Sequence, residues 1–446
     1  MRTGAVLCVA LMGSAGLATL SVGPKAALAG AFSVREQSAY FLGTAFAGSA
    51  AGQDISSVFW NSAATASKPG CNASLNITAI VGEAKETAQA GLFVSGSPPF
   101  VPGLGPTSAD VSQPAVVPSS FATCQVSDRL YVGLGINAPF GLVTKPDATG
   151  WAGSPFGITS KIVSADINPT VAYKLTPELT VGVGVQIEYF TIDLTHASFN
   201  SIFGPINGAR GFDADSWGVG ATAGVLWQPS RGTSIGLGYR SRVAMDVSGD
   251  YTRGPGSMSG PPFSTTATAS LTLPDEVTLS ARQYLAPHLA LLATIEWQNW
   301  SRLQNVTATS SGCGSGGVCE VVNLNYHDGW FYAVGAEYAV SPALALRTGV
   351  AYETSPIDNA TRDILLPDSN RLHVSVGASY KLTDKAVVDF GYSHLFFQDG
   401  TFCIANPVFN GGSTHCNAGT PTAAVLLSGK TEVSTDLLAF GVKYKF

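Results

Sequence analysis

The chain is poor in charge, and after its first thirty positions it has no apolar run long enough for a membrane-spanning helix. Only 12% of its 446 residues are charged, whereas an average soluble domain has roughly 25%. Its 50 glycines and 10% aromatic content accompany this low charge. A soluble globular domain and a helical membrane protein are both disfavoured, and the composition is typical of a transmembrane β-barrel.

The chain also lacks a basic excess and the residue pairs that many sites need. Its formal net charge is −6, so nothing indicates a nucleic acid partner. A hydrolase triad requires the side chains of a serine and a histidine to lie close together in space. Ser393 and His394 are neighbours in sequence, but their side chains would point to opposite faces of a strand. No histidine has metal-ligand spacing apart from His415 beside Cys416. We therefore expect no enzymatic activity, no metal and no cofactor.

The amino terminus predicts export. A positive start, an apolar stretch over 4–20 and the small-x-small sequence Ala27-Leu28-Ala29 indicate a signal peptide over 1–29. The alternative is a single transmembrane helix. The processing site and the lack of a following stop-transfer charge cluster disfavour it.

Six cysteines remain after the signal, and an even number in an exported chain indicates disulfides. The sequence alone does not determine how six cysteines pair. Proximity favours two pairs within single loops and leaves a third, longer one: Cys313–Cys319, Cys403–Cys416 and Cys71–Cys124.

Strict alternation of apolar with polar or small residues recurs along the chain. From Arg371 to Leu382, for example, the even positions are apolar and the odd ones are polar or small. A strand with lipid on one side and water on the other has this pattern. Alternation predicts an all-β, fourteen-stranded antiparallel transmembrane β-barrel. The predicted strands are 72–95, 118–127, 129–138, 161–175, 179–194, 216–227, 233–247, 265–283, 288–300, 325–340, 343–354, 370–382, 385–397 and 430–446.

The predicted connections alternate between short and long. Ser127-Asp128 is a short one and 139–160 a long one, as expected for periplasmic turns and outer loops. The last strand ends on the carboxyl-terminal Phe446 and, with the export signal, indicates a bacterial outer membrane. A soluble sandwich would alternate too, but its loops need not sort by length.

Residues 30–70 precede the first strand and lack alternation. They are rich in alanine, glycine and phenylalanine, and a fourteen-stranded barrel is too wide for its own side chains to fill. We expect this segment, the hatch, to plug the lumen, because a periplasmic tail would be more polar. The predicted organisation is therefore a signal peptide (1–29), an N-terminal hatch (30–70) and a barrel (71–446).

Seven stretches carry a resemblance to a known family. Three lie in the hatch and four in the barrel: Phe32–Ser38, Leu42–Gly48, Asp54–Ala64, Gly133–Gly141, Ser270–Glu276, Arg347–Pro356 and Leu366–Arg371. Together they closely resemble the FadL/TodX outer-membrane transporters of long-chain fatty acids and hydrocarbons. The barrel stretches are similar to the third, eighth, eleventh and twelfth strands of that family. The resemblance spans nearly the whole mature chain.

The resemblance implies passive uptake of hydrophobic molecules. They would be captured by outer loops, pass a pocket at the hatch amino terminus, and leave sideways into the membrane through a kink in the third strand. Phe32 aligns with the phenylalanine that lines the deep pocket. For the gate the resemblance implies Gly133, Gly135, Asn137 and Pro139. A strand that simply ends there is the alternative.

One departure from the family concerns the hatch. The family usually has Asn-Pro-Ala where this chain has Asn61, Ser62 and Ala63. Loss of the proline frees the backbone φ angle at that position. The local conformation of the hatch is therefore open.

Further candidates for substrate contact come from residue type and predicted facing. Phe46, Phe59 and Trp60 are apolar hatch residues, although packing against the wall explains such residues as well. Trp151, Phe156 and Phe203 lie in long outer loops, where the alternative is contact with the membrane surface. Arg240 and Arg347 should face inward, to meet a carboxylate or to pair with wall carboxylates.

The most favoured function is uptake of long-chain fatty acids, and the alternative substrate is an aromatic hydrocarbon. A general porin would lack the plug, and a non-transporting surface barrel is disfavoured only by the hatch. Expected partners are hydrophobic small molecules, outer-membrane lipid and lipopolysaccharide. We expect a monomer, because no strand face shows a distinct polar or small-residue seam.

Overall fold

The computed structural model describes residues 30–94, 107–148, 150–154, 156–199, 206–254, 261–314, 316–407, 414–415 and 423–446. The predicted signal peptide, Phe203 and Cys416 lie outside these residues. Among the described residues, no helix has the length and apolar character needed to cross a membrane.

The described strands form a closed antiparallel barrel. The first wall strand pairs with the last, from Asn72 opposite Lys445 to Val94 opposite Ala423. The wall has fourteen strands, which confirms the number that alternation predicted. Several are divided, so that 22 segments are described. They are β1 (Cys71–Val94), β2 (Ser108–Asp110), β3 (Ala115–Gln125), β4 (Leu130–Asn137), β5 (Gly141–Thr144), β6 (Thr159–Lys174), β7 (Leu179–Phe199), β8 (Ile206–Ser230), β9 (Thr233–Arg240), β10 (Val243–Arg253), β11 (Phe263–Leu273), β12 (Glu276–Ala286), β13 (Leu289–Gln298), β14 (Asn305–Thr309), β15 (Val318–Asn323), β16 (Gly329–Ala339), β17 (Leu344–Thr354), β18 (Arg371–Lys381), β19 (Ala386–Phe397), β20 (Gly400–Pro407), β21 (Thr414–His415) and β22 (Ala423–Lys445).

The two ends of the barrel differ. Both barrel termini and the short turns, such as the one between β6 and β7, lie at one end, which we call the inner end. The long connections lie at the other, outer end. Several predicted loops continue as strand there: β7 extends to Phe199, β8 begins at Ile206, and β14 and β15 form a hairpin.

Side chains alternate between the outside of the wall and the lumen. In β18, Leu372, Val374 and Val376 are exposed on the outside, whereas Arg371 and His373 are buried in the lumen. Outward aromatic residues lie near strand ends, as an interfacial girdle requires. They are Tyr173, Trp227, Tyr338, Tyr380, Tyr444 and Phe446.

Three wall strands are interrupted at about mid-barrel. β4 continues as β5 after 138–140, β9 as β10 after Ser241-Arg242, and β11 as β12 after Pro274-Asp275. Pro139 and Pro274 account for two of the breaks, since proline has no N–H to donate to a ladder. Across the second and third breaks, the alternation shifts by one residue, so that the residues facing the lumen change between even and odd numbers. The predicted strands 233–247 and 265–283 did not include that shift.

Residues 30–70 lie inside the barrel and are nearly all buried. They form the helix α1 (Ala39–Leu42) and the 3₁₀ helices η1 (Ile55–Phe59) and η2 (Ser62–Ala66). Each begins at a polar residue whose side chain accepts a hydrogen bond from a backbone N–H of the first turn. These capping residues are Ser38, Asp54 and Asn61.

Inward glycines of β9 let the hatch backbone touch the wall. A Cβ atom on Gly236 would overlap the carbonyl oxygen of Ala50, and one on Gly238 would overlap that of Trp60. Larger residues at these two positions would push the hatch away from the wall.

Candidate functional site

A cavity that is partly open to solvent lies in the outer half of the lumen. Inward residues of β7, β8, β10 and β11, the β14–β15 hairpin and loop residues enclose it. Its wall is mainly apolar and includes Phe156, Ile192, Phe212, Val247 and Leu271. Such a wall suits an apolar guest, because each CH₂ group moved out of water contributes about 0.8 kcal/mol.

Three ionisable side chains meet at one side of this outer cavity. Glu320 Oε2 lies 3.7 Å from His196 Nε2 and 3.7 Å from Arg210 Nη1. These distances exceed a hydrogen bond, and Glu320 Oε2 accepts none from the described residues. Tyr251 Oη donates to the carbonyl oxygen of Cys319 at 3.1 Å and so holds β15 against β10. The cavity therefore combines an apolar wall with a loosely associated ionic group.

The ionic group was not predicted from the sequence. Arg210 and His196 fall in the predicted loop 195–215, and Glu320 in the predicted loop 301–324. The sequence did not predict that these side chains face the lumen, because the predicted strands end where the outward residues are no longer apolar. Apolar residues that face the lumen continue beyond this point, at Phe212 and Ala214. They indicate that β8 extends further toward the outer end.

Phe32 lies in an aromatic cluster at the hatch amino terminus. Its ring centroid is 4.7 Å from that of Trp300 and 6.0 Å from that of Phe140. Tyr326 contacts Trp300 from the other side, with centroids 6.1 Å apart. These rings and Phe212 belong to one apolar cluster, which extends from the outer cavity to the hatch. Phe32 is thus placed at the inner end of an apolar track.

The break between β4 and β5 is filled by the hatch. The N–H of Val34 donates to the carbonyl oxygen of Pro139 at 2.7 Å, and the N–H of Gly141 donates to that of Phe32 at 2.8 Å. Gln37 Nε2 adds a bond to the carbonyl oxygen of Ala138 at 2.8 Å. The backbone groups that the break frees are therefore satisfied by residues 32–37 of the hatch.

The predicted gate residues before the break lie in β4. Gly133, Gly135 and Asn137 pair with β6, opposite Thr170, Asn168 and Asp166. Pro139 lies in the break itself. The structure thus brings Pro139 to the hatch amino terminus, whereas Gly133 lies beside Thr65 near the end of the hatch.

The other predicted hatch residues lie further from the outer cavity. Trp60 packs against Phe46 and Phe59, with ring centroids 6.0 and 5.0 Å apart. Asn61 caps η2, and its Nδ2 donates to the carbonyl oxygens of Ala50 and Val225. Ser62 and Ala63 begin η2, the conformation adopted where the family has proline.

The two predicted arginines are bound to wall carboxylates. Arg240 Nη2 lies 2.9 Å from Asp166 Oδ2, and Arg347 Nε lies 2.8 Å from Glu337 Oε2. Neither residue lines the outer cavity. Their geometry is that of buried wall ion pairs.

The hatch is fastened to the wall by further buried charges. Arg35 lies 2.6 Å from Glu296 and 2.9 Å from Glu353, and Asp54 lies 2.7 Å from Lys443. Burial raises the pKa of Asp54, but the ammonium of Lys443 and the hydrogen bonds from Ser56 outweigh it and hold the pKa at about 2.

Glu36 is the exception among these charges. Burial raises the pKa of its carboxyl to about 7, although neighbouring Arg35 opposes the shift. Glu36 Oε2 has no hydrogen-bond partner among the described residues. Its charged form is therefore poorly solvated inside the hatch.

The predicted loop aromatics differ in position. Phe156 lines the outer cavity, and Trp151 is fully buried in the same apolar cluster. The structure contains disulfides between Cys71 and Cys124 and between Cys313 and Cys319. Cys403 is also disulfide-bonded.

Comparison with known proteins adds a family match. Residues 20–446 match the family model described as outer membrane protein transport protein (OMPP1/FadL/TodX). The long-chain fatty acid transport protein of Salmonella typhi is 27% identical over 315 residues, which cover 65% of this chain and 72% of that protein.

Two solved structures share the fold. The crystal structure of a Pseudomonas aeruginosa FadL homologue matches with a TM-score of 0.82 and 22% identity, over 93% of this chain and 100% of its own. That of the Ralstonia pickettii toluene transporter TbuX matches with a TM-score of 0.63 and 17% identity, over 91% of this chain and 97% of its own. At these identities the likeness concerns the fold.

Proposed function

The chain belongs to the OMPP1/FadL/TodX family of bacterial outer membrane transport proteins, and from this premise we propose that it takes up long-chain fatty acids. Uptake is passive. The substrate is captured in the outer cavity, passes Phe32 at the hatch amino terminus, and leaves sideways into the membrane.

The observation that carries this proposal is the combination of apolar wall and ionic group in the outer cavity. A fatty acid has both an acyl chain for the wall and a carboxylate for Arg210. A hydrocarbon would leave the ionic group without a role. Arg210 supplies guanidinium donors at the cavity wall, and a substrate carboxylate that reaches them would form charge-assisted hydrogen bonds.

The next step follows the apolar track. From the outer cavity the acyl chain meets the cluster of Phe32, Phe140 and Trp300. Phe32 lies on the hatch and Phe140 in the break between β4 and β5. A guest that displaces Phe32 therefore acts directly on the segment that fills the break.

Lateral exit is favoured by the cost of the other route. Release into the periplasm would expose an acyl chain to water, at about 0.8 kcal/mol for each CH₂ group. Exit through the break keeps the chain in an apolar environment. It requires residues 32–37 to give up their bonds to Ala138, Pro139 and Gly141.

An aromatic hydrocarbon is the second candidate. The mainly apolar wall of the outer cavity favours it, and it needs no partner for Arg210. Labelled oleate and labelled toluene should be supplied in parallel to an outer-membrane strain that lacks its own hydrophobic channel, with and without this protein. We expect uptake of oleate; uptake of toluene alone contradicts the proposal, and uptake of neither by correctly inserted protein contradicts transport.

The role of the ionic group has its own test. Arg210→Gln should weaken oleate binding by roughly 10–100-fold, since a hydrogen bond to a charged group contributes about 1.5–3 kcal/mol. Methyl oleate, which has the same chain without the charge, should bind both proteins equally. The matched control is Arg231→Gln, at an exposed position in an inner turn. Equal loss of both ligands would assign Arg210 a structural role instead.

A further inference from the structure

The ladder between β8 and its next wall neighbour is interrupted within the described residues. β8 pairs with β9 up to Thr222 opposite Arg240, and with β10 from Asp215 opposite Ser248 outward. Residues 216–220 of β8 have no ladder partner among residues 243–247 of β10. We call this stretch the β8–β10 seam.

β10 leans over β8 along the seam. A Cβ atom on Gly218 would lie 2.7 Å from Met245 Sδ, and one on Gly220 would lie 2.9 Å from Val243 Cγ2. Both distances are shorter than real Cβ contacts, so a larger residue at either position would have to displace the side chain of Val243 or Met245. Val243 and Met245 thus close the seam from the lumen side as a side-chain cover, in place of a hydrogen-bonded ladder.

Polar groups are satisfied at the inner end of the seam. The N–H of Ser241 donates to the carbonyl oxygen of Ala221 at 2.8 Å, and the N–H of Ala221 donates to Ser241 Oγ at 2.8 Å. Gln186 Nε2 donates to the carbonyl oxygens of Ala221 and Ser241, each at 3.2 Å. A backbone N–H or C=O group without a hydrogen bond at the depth of the hydrocarbon core would cost several kcal/mol. These hydrogen bonds therefore allow the ladder to end there.

The seam faces the outer part of the lipid-exposed band. On β8 the outward Trp217 and Val219 are 63% and 69% exposed, and Trp227 marks the inner end of the same strand. On β10 the outward residues Ala244 and Asp246 lie within the seam, and Asp250 follows further out. The seam therefore lies where the apolar band ends on the outer side.

The inner surface of the seam is continuous with the apolar track. Val243, Met245 and Val247 belong to the same apolar cluster as Phe32 and Phe212. Val247 also lines the outer cavity. The side chains that cover the seam thus belong to the apolar cluster that extends from the outer cavity to the hatch.

We propose that the β8–β10 seam is a second lateral port, through which the outer cavity exchanges apolar molecules with the outer leaflet. This rests on the proposed transport function. Opening it needs rotation of Val243 and Met245, and methionine is the most adaptable of the apolar side chains. Opening the β4–β5 break instead requires backbone hydrogen bonds of the hatch to be given up.

A disulfide across the seam tests the proposal. In the double variant G220C/V243C, the sulfur of the cysteine at position 243 would occupy the place of Val243 Cγ2. That place is 2.9 Å from the Cβ position of residue 220, a distance that suits a disulfide. The crosslinked protein should take up labelled oleate preloaded into the outer leaflet several-fold more slowly than wild type and regain the wild-type rate on reduction, whereas oleate supplied in solution should still leave through the β4–β5 break. Wild type with and without reductant controls for the native disulfides, and each single variant controls for the substitution.

Two further measurements keep the outcomes distinct. Equilibrium binding of a fluorescent fatty acid should be unchanged by the crosslink, since the outer cavity remains intact. Wild-type uptake of the preloaded oleate by protein with a verified crosslink overturns the port, whereas absence of uptake of both preloaded and dissolved oleate by wild type overturns the transport function itself. If the cysteine pair fails to assemble, V243A/M245A decides: faster uptake of preloaded oleate supports the port, and an unchanged rate overturns it.

Discussion

The hatch and the outer cavity are both built from buried charges and aromatic rings, but they hold their charges differently. Arg35 of the hatch lies 2.6 Å from Glu296 and 2.9 Å from Glu353, and all three side chains are buried. In the outer cavity, Arg210 and Glu320 are 3.7 Å apart and partly exposed. The first arrangement consists of short, buried ion pairs between the hatch and the wall, whereas the second is a longer contact at the wall of a cavity.

This difference separates a fixed element from an adaptable one. Breaking a short, buried ion pair leaves an uncompensated charge, at a cost of about 3–5 kcal/mol, whereas the longer contact between Arg210 and Glu320 should contribute less. Most of the hatch should therefore stay in place while substrates come and go above it. Movement should be confined to the residues before Arg35, where Phe32 makes aromatic contacts, and to the Gln37 side chain.

The largest effect is expected from Arg35→Met. It removes the cation between Glu296 and Glu353 and also the guanidinium that lies 3.9 Å from the Phe331 ring centroid. The hatch should be destabilised by about 3–5 kcal/mol and become cleavable by protease from the inner end.

The control for Arg35 is Lys381→Met. Lys381 pairs with Asp384, and both side chains are largely exposed, so no change in hatch cleavage is expected. A hatch that resists protease equally in both variants would remove Arg35 as an anchor and weaken the contrast between the two regions.

Phe32→Ala should affect the junction of the two regions. The substitution leaves a void against Trp300 and Phe140, and a buried phenylalanine replaced by alanine costs about 3–5 kcal/mol when the site cannot relax. The loss should stay within residues 30–38, so oleate uptake falls while the melting temperature of the barrel is unchanged. Unchanged uptake would remove Phe32 from the substrate path.

A pH effect is expected from Glu36, which is the weak point of the otherwise fixed hatch. Its native pKa of about 7 is above its ordinary value, so the folded hatch binds this proton more tightly than the unfolded chain does. The stabilisation is complete below the ordinary pKa and is lost as the pH rises through about 7. Glu36→Gln should therefore stabilise the hatch by about 1–3 kcal/mol at pH 8 and change nothing at pH 4. Protease resistance of the hatch at the two pH values measures this, and an equal effect at both would assign the change to packing.

The barrel was predictable because its physics is local to each strand. Alternation with a period of two depends only on neighbouring positions, as in 370–382, and it gave the strand number and the facing of Arg371 and His373. The breaks at Ser241-Arg242 and Pro274-Asp275 were missed, since each shifts the inward position by one residue while apolar residues remain frequent on both sides.

The candidate site was predictable only in part. Phe32 and the residues around Pro139 were identified by resemblance, whereas Arg210, His196 and Glu320 were not. They come from two segments more than one hundred residues apart in sequence, and nothing local to either segment indicates the other. Arg240 shows the converse: its inward facing was predicted, but its partner Asp166 depends on how distant strands meet.

The smallest stability effect is expected from Glu320→Gln, and it sharpens the comparison most directly. Because the carboxylate of Glu320 lies 3.7 Å from Arg210, beyond hydrogen-bond distance, its charge should contribute less to folding than the short ion pairs of the hatch do. The substitution should strengthen oleate binding, because it removes a carboxylate that competes with the substrate for Arg210. Methyl oleate should bind as before. Fluorescence displacement with the two ligands measures both. Weaker oleate binding would mean that Glu320 orients Arg210 for the substrate, and the outer cavity would then be as fixed as the hatch below it.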